Sequence, residues 1–538
     1  MSSTELFISD IHGEYEPFAQ VLRGGCGMLR ARIAEVFAGK LSDEQQAQLF
    51  ALICYPQEKL VDLGVSSSDD ENVAWMFDAL RELAKALDLP ATDFDVSARG
   101  ADLEAFVEKA CKAFRTSFIG RLHMLGDVYD RGPSPDLIME ELMEFPHIDI
   151  QWGNHDILWM GAALGQKGSV CHVVRISARY GNLSVLEETY GIDLTPLKDF
   201  AASAYAEDPC VAFGLKDTSG LTEDEIDITT KVQKAMAIIQ FKVEAQLIDE
   251  NPSFGLESRK LLHCIDYEKG CVVIDGVEHE LLDTVFPTVD PADPYRLNAE
   301  EAEVVEYLVS AFGACEKLQR HMRFFLEAGS LYKICGNHLL FHACVPLNQD
   351  GSLKEVTLFG ETYKGRSLFD AVDGFVRSAF LESDPAKRKL GLDMLWYLWL
   401  GEGSPLFAKS KMATFELYYI ADKTARKEVK NPFYSLLEDK EVMHGIFTEF
   451  GMDPATSRIV CGHVPVKVKD GETPVKCDGQ FVCIDGGFAK PYQKNTGIAG
   501  FALLTNEKGD VLYTLDPYAG TRETIEAGSD ISSHARTI

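Results

Sequence analysis

The sequence predicts an α/β fold whose strands carry polar loops at their carboxyl ends. Short apolar runs recur, and each gives way at once to a compact loop of Asp, Asn, His and Gly, as at the functional edge of an α/β sheet. Long stretches of helical period separate these runs. Near the end, three further apolar runs follow one another at the spacing of a β meander.

Taken in order, Leu6 to Ile8 is the first strand and Ser9-Asp10-Ile11-His12-Gly13 its loop. A helix is expected around Phe18 to Leu29. Helical period then dominates, most clearly at Gln45 to Cys54, Val73 to Leu87 and Leu103 to Phe114, the first two separated by an acidic loop from Ser66 to Glu71. The second strand, Arg121 to Leu125, ends in Gly126-Asp127-Val128-Tyr129-Asp130-Arg131-Gly132. Pro133 and Pro135 open a helix to about Glu144, since proline fits the first helical turn. Ile148 to Trp152 is the third strand and delivers Gly153-Asn154-His155-Asp156 to the same side of the sheet. Thr230 to Ile248 and Ala299 to Glu327 are the strongest later helices, and Leu339 to Val345 is strand-like. Arg458 to Cys461 leads into Gly462-His463-Val464-Pro465, and Phe481 to Ile484, Ile498 to Leu504 and Val511 to Leu515 read as a closing meander. The expected core spans about 1–30, 117–160, 331–349 and 456–517. Helical insertions interrupt it at about 31–116, 161–330 and 350–455, and a polar, frayed tail follows at 518–538.

Composition narrows the functional classes. Lys and Arg number 52 against 84 Asp and Glu, a net charge of −32, in a chain of 538 residues. Such a surface repels polyphosphate backbones and anionic lipid, so nucleic-acid and membrane partners are not expected. Hydrophobic residues at 46% place that charge on a folded surface. Thirteen cysteines lack any CxxC spacing and read as reduced thiols of a cytoplasmic protein. The start lacks the pattern of a signal peptide, and no run is long enough for a membrane span.

The polar loops carry the chemistry. Two divalent ions about 3.5 to 4 Å apart need a bridging carboxylate, further oxygen and nitrogen ligands, and open positions for water and substrate. Asp10 and His12 can present one oxygen and one nitrogen from a tight loop. Asp127 is the natural bridge, Asn154 adds a neutral carbonyl oxygen, and two later imidazoles complete the set. Carboxylate, amide and imidazole without thiolate favour manganese, iron or zinc in an open catalytic site.

The series DxH, GDxxDRG, GNHD and GHxP resembles the calcineurin-like metallophosphoesterases. More narrowly, Ser9 to Tyr15, Gly126 to Leu142, Gln151 to Gly161, Trp396 to Gly401 and Ile484 to Leu503 resemble the bacterial class III fructose-1,6-bisphosphatases. The resemblance covers nearly the whole chain. It implies a β-sandwich core flanked by helices, and two metal ions, manganese foremost. It also implies removal of the 1-phosphate of fructose 1,6-bisphosphate in gluconeogenesis. Matched to the family's motifs, Asp10, His12 and Asp127 hold the first ion, and Asp127, Asn154, His342 and His463 the second. His342 is preferred to His338 because it ends the apolar run Leu339-Leu340-Phe341. Pro465 stands where the superfamily often has another histidine, which leaves the first ion fewer protein ligands. The resemblance makes His155 the acid that protonates the leaving alkoxide, oriented by Asp130. Arg131 offers a planar fork for two phosphate oxygens.

A bisphosphate needs further cations. Lys490 and Lys494, flanking Tyr492, and Arg175 and Arg179, one helical turn apart, are the candidates. The aromatic run Trp396-Tyr397-Leu398-Trp399 reads as core. A protein phosphatase or a dinucleoside-polyphosphate hydrolase could use the same centre, although the long insertions exceed a minimal protein-phosphatase core. A non-catalytic metal scaffold would show gaps in the ligand set. The insertions are expected to form a cap or the surface of a homo-oligomer.

Overall fold

The computed structural model describes residues 4–64, 74–90 and 101–538; the acidic stretch 66–71 lies outside the described residues. The fold is mixed α/β, with two main sheets of seven and five strands. Glu5–Ile8 lies inside the larger sheet, where Leu6, Phe7 and Ile8 are fully buried. It runs parallel to Arg121–Met124, with Glu5 opposite Arg121, and antiparallel to Gly500–Asn506, with Glu5 opposite Thr505. Ile148–Gln151 and the short Gly329–Ser330 continue the parallel side. Gly509–Leu515 and Ser532–Thr537 complete the antiparallel side.

The smaller sheet has the order Val475–Lys476, Phe481–Cys483, Arg458–Cys461, His338–Phe341, Tyr332–Cys335. Its three middle strands are parallel. Apolar runs buried on both faces are what parallel strands require. The sheets meet in a shared core: the Phe7 and His338 rings lie 5.3 Å apart, and His338 Nε2 reaches Asp510 at 2.9 Å. His338 is thus a paired core histidine.

The structure revises several expectations. Phe481–Cys483 is not part of a meander with the next two runs; it joins the smaller sheet beside Arg458–Cys461, while the next two strands close the larger one. Periodicity reports burial and cannot name the partner strand. The end of the chain is not frayed: Thr521–Ala527 is helical, and Ser532–Thr537 pairs with Gly509–Leu515 as an edge strand. Its side chains are mostly exposed, so backbone pairing holds it without an apolar signal. The insertions also contain strands, with a three-stranded sheet at Ile265–Asp266, Cys271–Ile274 and Val277–Glu280 and a hairpin of Val356–Leu358 with Glu361–Tyr363. The helix expected around 18–29 is two, Tyr15–Arg23 and Met28–Val36, parted at Gly24-Gly25. Likewise 299–327 divides into Ala299–Ala314 and Glu316–Ala328 at Cys315, which caps the second.

Three helices frame the strand ends. Asn154–Ala163 leaves the third strand and is buried throughout. Lys167–Arg179 packs between it and the long Glu223–Glu250, and Pro385–Leu400 covers its other side. No helix among the described residues is long and apolar enough to cross a membrane.

Candidate metal centre and active site

Each strand expected to carry a ligand ends at one place. Asp10, Asp127 and Asn154 follow strands of the larger sheet, and His342 and His463 follow neighbouring strands of the smaller one. The connecting backbone is held in an uncommon form. Fourteen described non-glycine residues have positive φ, and Asp10, His12, Asp127, Asp130, Arg131 and His463 are six of them. That region costs roughly 1 kcal/mol or more per residue, and such outliers gather where a fold over-determines a functional site. Two glycines permit the close approach: a Cβ on Gly153 would lie 2.1 Å from Asp127 Oδ1, and one on Gly462 2.2 Å from Asp10 Oδ2.

Asp127 is central. Its Oδ1 accepts the His155 backbone N–H at 3.0 Å, while Oδ2 lies 3.7 Å from His12 Nε2 and 3.5 Å from His342 Nε2. Asp10 Oδ1 is 3.9 Å from His12 Nε2, and Asp10 Oδ2 accepts the His463 backbone N–H at 3.0 Å. Asn154 Oδ1 lies 3.1 Å from His342 Nε2 and 2.9 Å from His463 Nδ1. Asp156 takes no place among these groups; its carboxylate accepts the backbone N–H groups of Asp127, Val128 and Gly153 at 2.8 to 3.0 Å and clamps the Asp127 loop.

The donor set fits divalent cations. His12 Nδ1 donates to the Tyr129 carbonyl at 2.9 Å and His342 Nδ1 to the Leu125 carbonyl at 2.7 Å, because a carbonyl can only accept. In the neutral form that a metal ligand requires, both rings turn Nε2 lone pairs toward carboxylate or amide oxygens. Lone pairs facing lone pairs in a buried space suit a cation between them. Burial holds His12 and His463 well below the ordinary imidazole range, helped by Arg131 at His12 and by His342 at His463. Burial also opposes a charge on His342, yet Asp127 overrides it and raises this imidazole to about 10. Burial raises Asp10 to about 6, against the pull of His342 and with the push of Asp127.

His155 lies within 4.8 Å of His12 and Asp127, but both its nitrogens are engaged. Nδ1 donates to Asp130 Oδ2 at 2.6 Å, and Nε2 accepts from Arg131 Nη2 at 3.2 Å. Trp159 Nε1 donates to the other Asp130 oxygen at 2.8 Å. The Arg131 guanidinium rests 4.6 Å above the Tyr492 ring, and the Tyr492 and Tyr180 hydroxyls are 3.2 Å apart.

These groups open onto a cleft of about 610 Å³, within the usual size of a small-molecule site. Arg131, Arg175, Arg179 and Tyr492 line it; Lys490 and Lys494 do not, and both are exposed. Their helix, Lys490–Thr496, turns Tyr492 inward, which leaves positions two residues to either side facing away. Arg175 is largely committed, donating to Gln240 at 2.6 Å and to the Tyr418 hydroxyl at 3.1 Å. Sequence reasoning missed Lys409, Lys430 and Lys467, which also line the cleft. Trp396 is core as expected, whereas Trp399 reaches the cleft and meets the His155 ring edge-on at 4.9 Å. Arg131 Nε and Trp399 Nε1 are buried donors with no hydrogen-bond partner among the described residues, both on lining residues.

Buried carboxylates, an amide and imidazoles at converging strand ends, beside a guanidinium in an open cleft, define a candidate metal-dependent phosphate-ester hydrolase. Comparison with known proteins narrows this. The family model described as Firmicute fructose-1,6-bisphosphatase matches residues 1–98 and 95–538. A class 3 fructose-1,6-bisphosphatase of Clostridium botulinum (strain Alaska E43) is 41% identical over 572 residues, covering 98% of this chain and 86% of the relative. One from Bacteroides fragilis (strain ATCC 25285) is 42% identical over 575 residues, with the same coverage of 98% and 86%. The chain belongs to the class 3 fructose-1,6-bisphosphatase family. Among solved structures, a cold-active protein-tyrosine phosphatase of a Shewanella species covers all of this chain and 80% of its own, at 9% identity. Its TM-score of 0.33 carries no weight for the fold.

Proposed function

We propose that this chain hydrolyses the 1-phosphate of fructose 1,6-bisphosphate to fructose 6-phosphate and inorganic phosphate, a step of gluconeogenesis. Identity of about 41% along 98% of the chain to a curated class 3 enzyme is the observation that carries it. The fold assignment that accompanies it is a calcineurin-like sandwich, one core interrupted by three insertions. Thirteen unpaired cysteines suit a cytoplasmic setting, and the insertions offer surface for a homo-oligomer.

In this reading Asp10, His12 and Asp127 hold one divalent ion and Asp127, Asn154, His342 and His463 a second. Manganese suits this oxygen and nitrogen set, with iron and zinc also compatible. When bound, the ions supply Lewis acidity and a water acidic enough to attack phosphorus near neutral pH. Arg131 takes two phosphoryl oxygens, leaving its contact with His155 as it does so. His155 Nε2 is then free to carry the proton that goes to the leaving sugar oxygen, while Asp130 keeps the other ring proton in place. Arg179, Lys409, Lys430 and Lys467 provide positive charge for the second phosphate, and Arg175 stiffens the wall behind them.

Phosphate release should be compared, with manganese added, for fructose 1,6-bisphosphate, fructose 6-phosphate, a phosphopeptide and diadenosine tetraphosphate. The bisphosphate is expected to lead in kcat/KM by at least about tenfold, a margin of about 1.4 kcal/mol in transition-state binding. A preference for the phosphopeptide or the dinucleotide would reassign the enzyme to another branch of this chemistry.

A further inference from the structure

A second group of metal-ligating side chains lies near the other end of the same strands. Glu5 opens the first strand, His123 belongs to its parallel neighbour, and Cys335 closes the Tyr332–Cys335 strand of the opposite sheet. Three atoms form a triangle: His123 Nε2 to Glu5 Oε2 is 3.5 Å, Glu5 Oε2 to Cys335 Sγ 3.4 Å, and Cys335 Sγ to His123 Nε2 3.9 Å. Tetrahedral zinc, with bonds of about 2.0 to 2.3 Å, separates its ligand atoms by roughly 3.3 to 3.6 Å. The triangle is therefore nearly the right size before any ion pulls it together.

The surroundings orient the imidazole for this role. His123 is fully buried and stacked on Phe7, with ring centroids 4.3 Å apart. Its Nδ1 donates to Asp149 Oδ1 at 2.8 Å, which directs the Nε2 lone pair to the triangle. A carboxylate behind a ligating histidine is the usual outer-shell support of a metal site. Lys333, at 2.9 Å from Asp149 Oδ2, balances the charge of that carboxylate. The Glu5 side chain is 29% exposed, which gives an ion a way in and leaves a fourth position for water.

We propose that Glu5, His123 and Cys335 form a binding site for a zinc-class divalent ion that ties the two sheets together, separate from the catalytic centre. Binding would release the thiol proton, since thiolate is the ligand. The alternative needs no ion. It makes His123 an imidazolium, raised to about 10 by Asp149, Cys335 and Glu5 in spite of burial.

The test uses the full chain, stripped with a chelator, reloaded with manganese and then titrated with cobalt(II). The donors assigned to the catalytic centre include no thiolate, so a thiolate-to-cobalt charge-transfer band in the near ultraviolet reports on this cluster. The expected result is a band that saturates near one equivalent, is lost in Cys335→Ser and needs at least about tenfold more cobalt in Glu5→Gln. Metal analysis of zinc-grown protein should show one ion fewer per chain in Cys335→Ser. Retained manganese-dependent phosphatase activity in both variants shows that they fold. Absence of the band in the wild-type chain, or its persistence in Cys335→Ser, would overturn the proposal, and neither result bears on the catalytic assignment.

Discussion

His155 shows how closely a single residue's chemistry is fixed by its contacts. Asp130 holds its Nδ1 proton, Arg131 touches its Nε2, and Trp399 covers the ring edge. On the proposed reading, a residue so placed serves the leaving group. His155→Asn is expected to lower kcat on fructose 1,6-bisphosphate by about 10² to 10³ with KM little changed, because general acid catalysis is worth about that much. The loss should shrink to about tenfold or less for an aryl phosphate whose leaving phenolate needs no proton. Equal losses on both substrates, measured in parallel steady-state assays, would remove His155 from this role. The metal-ligand candidates were legible because each ends an apolar run in a loop of unusual composition, and that signal is local. The cleft lysines were not. Lys409 and Lys430 sit far from the motifs in sequence, Lys467 follows the Gly462–Pro465 motif by two residues with nothing local to mark it, and only tertiary packing brings the three into one cleft with Arg131. Lys490 and Lys494 misled because two neighbours of Tyr492 on a helix do not share its face.

Among the elements, the helix Lys167–Arg179 lines the cleft, Glu223–Glu250 packs against it, and a buried ionic knot joins the two. Glu244 receives His172 Nε2 at 2.6 Å and Arg259 Nη2 at 2.7 Å. Burial would raise Glu244, but Arg259 and His172 hold it down at about 2, while burial lowers His172 to about 4 in spite of Glu244. Both groups make acid destabilising. His172 gives its full contribution above about 6.5 and loses it as pH falls toward 4; Glu244 gives its own above about 4.5 and loses it toward 2. Thermal unfolding midpoints should therefore fall progressively from about pH 6.5 downward, with Glu244 responsible for a loss on the order of 3 to 4 kcal/mol, at roughly 1.4 kcal/mol per unit. Glu244→Gln should flatten the part of that profile below pH 4.5, and an unchanged slope would show that the knot does not set acid stability. The existence and type of these helices could be read from periodicity. What could not be read was strand partnership, as at Phe481–Cys483, or an edge strand such as Ser532–Thr537 that is held by backbone bonds and buries little.

For the molecule as a whole, the net charge of −32 and an anionic substrate are compatible because charge is distributed unevenly. Arg131, Arg175, Arg179, Lys409, Lys430 and Lys467 line one cleft together with Asp127, and Asp127 and Asp10 are both buried where cations would neutralise them. Ions that bind only the folded chain stabilise it by mass action. Exhaustive chelation is expected to abolish phosphate release and lower the melting temperature by a few degrees or more, with added manganese restoring both. Full activity after metal removal, verified by elemental analysis, would end the two-ion account. The order in which the chain is made adds a further constraint. Glu5 pairs with Thr505, and Asp10 is clasped by the backbone of His463. At roughly 5 to 20 residues per second, a ribosome delivers the first strand some 25 to 100 seconds before its antiparallel partner. Throughout that interval the first strand lacks its antiparallel partner and the proposed ligand set lacks His463. The growing chain can therefore act as an enzyme only when almost all of it has emerged.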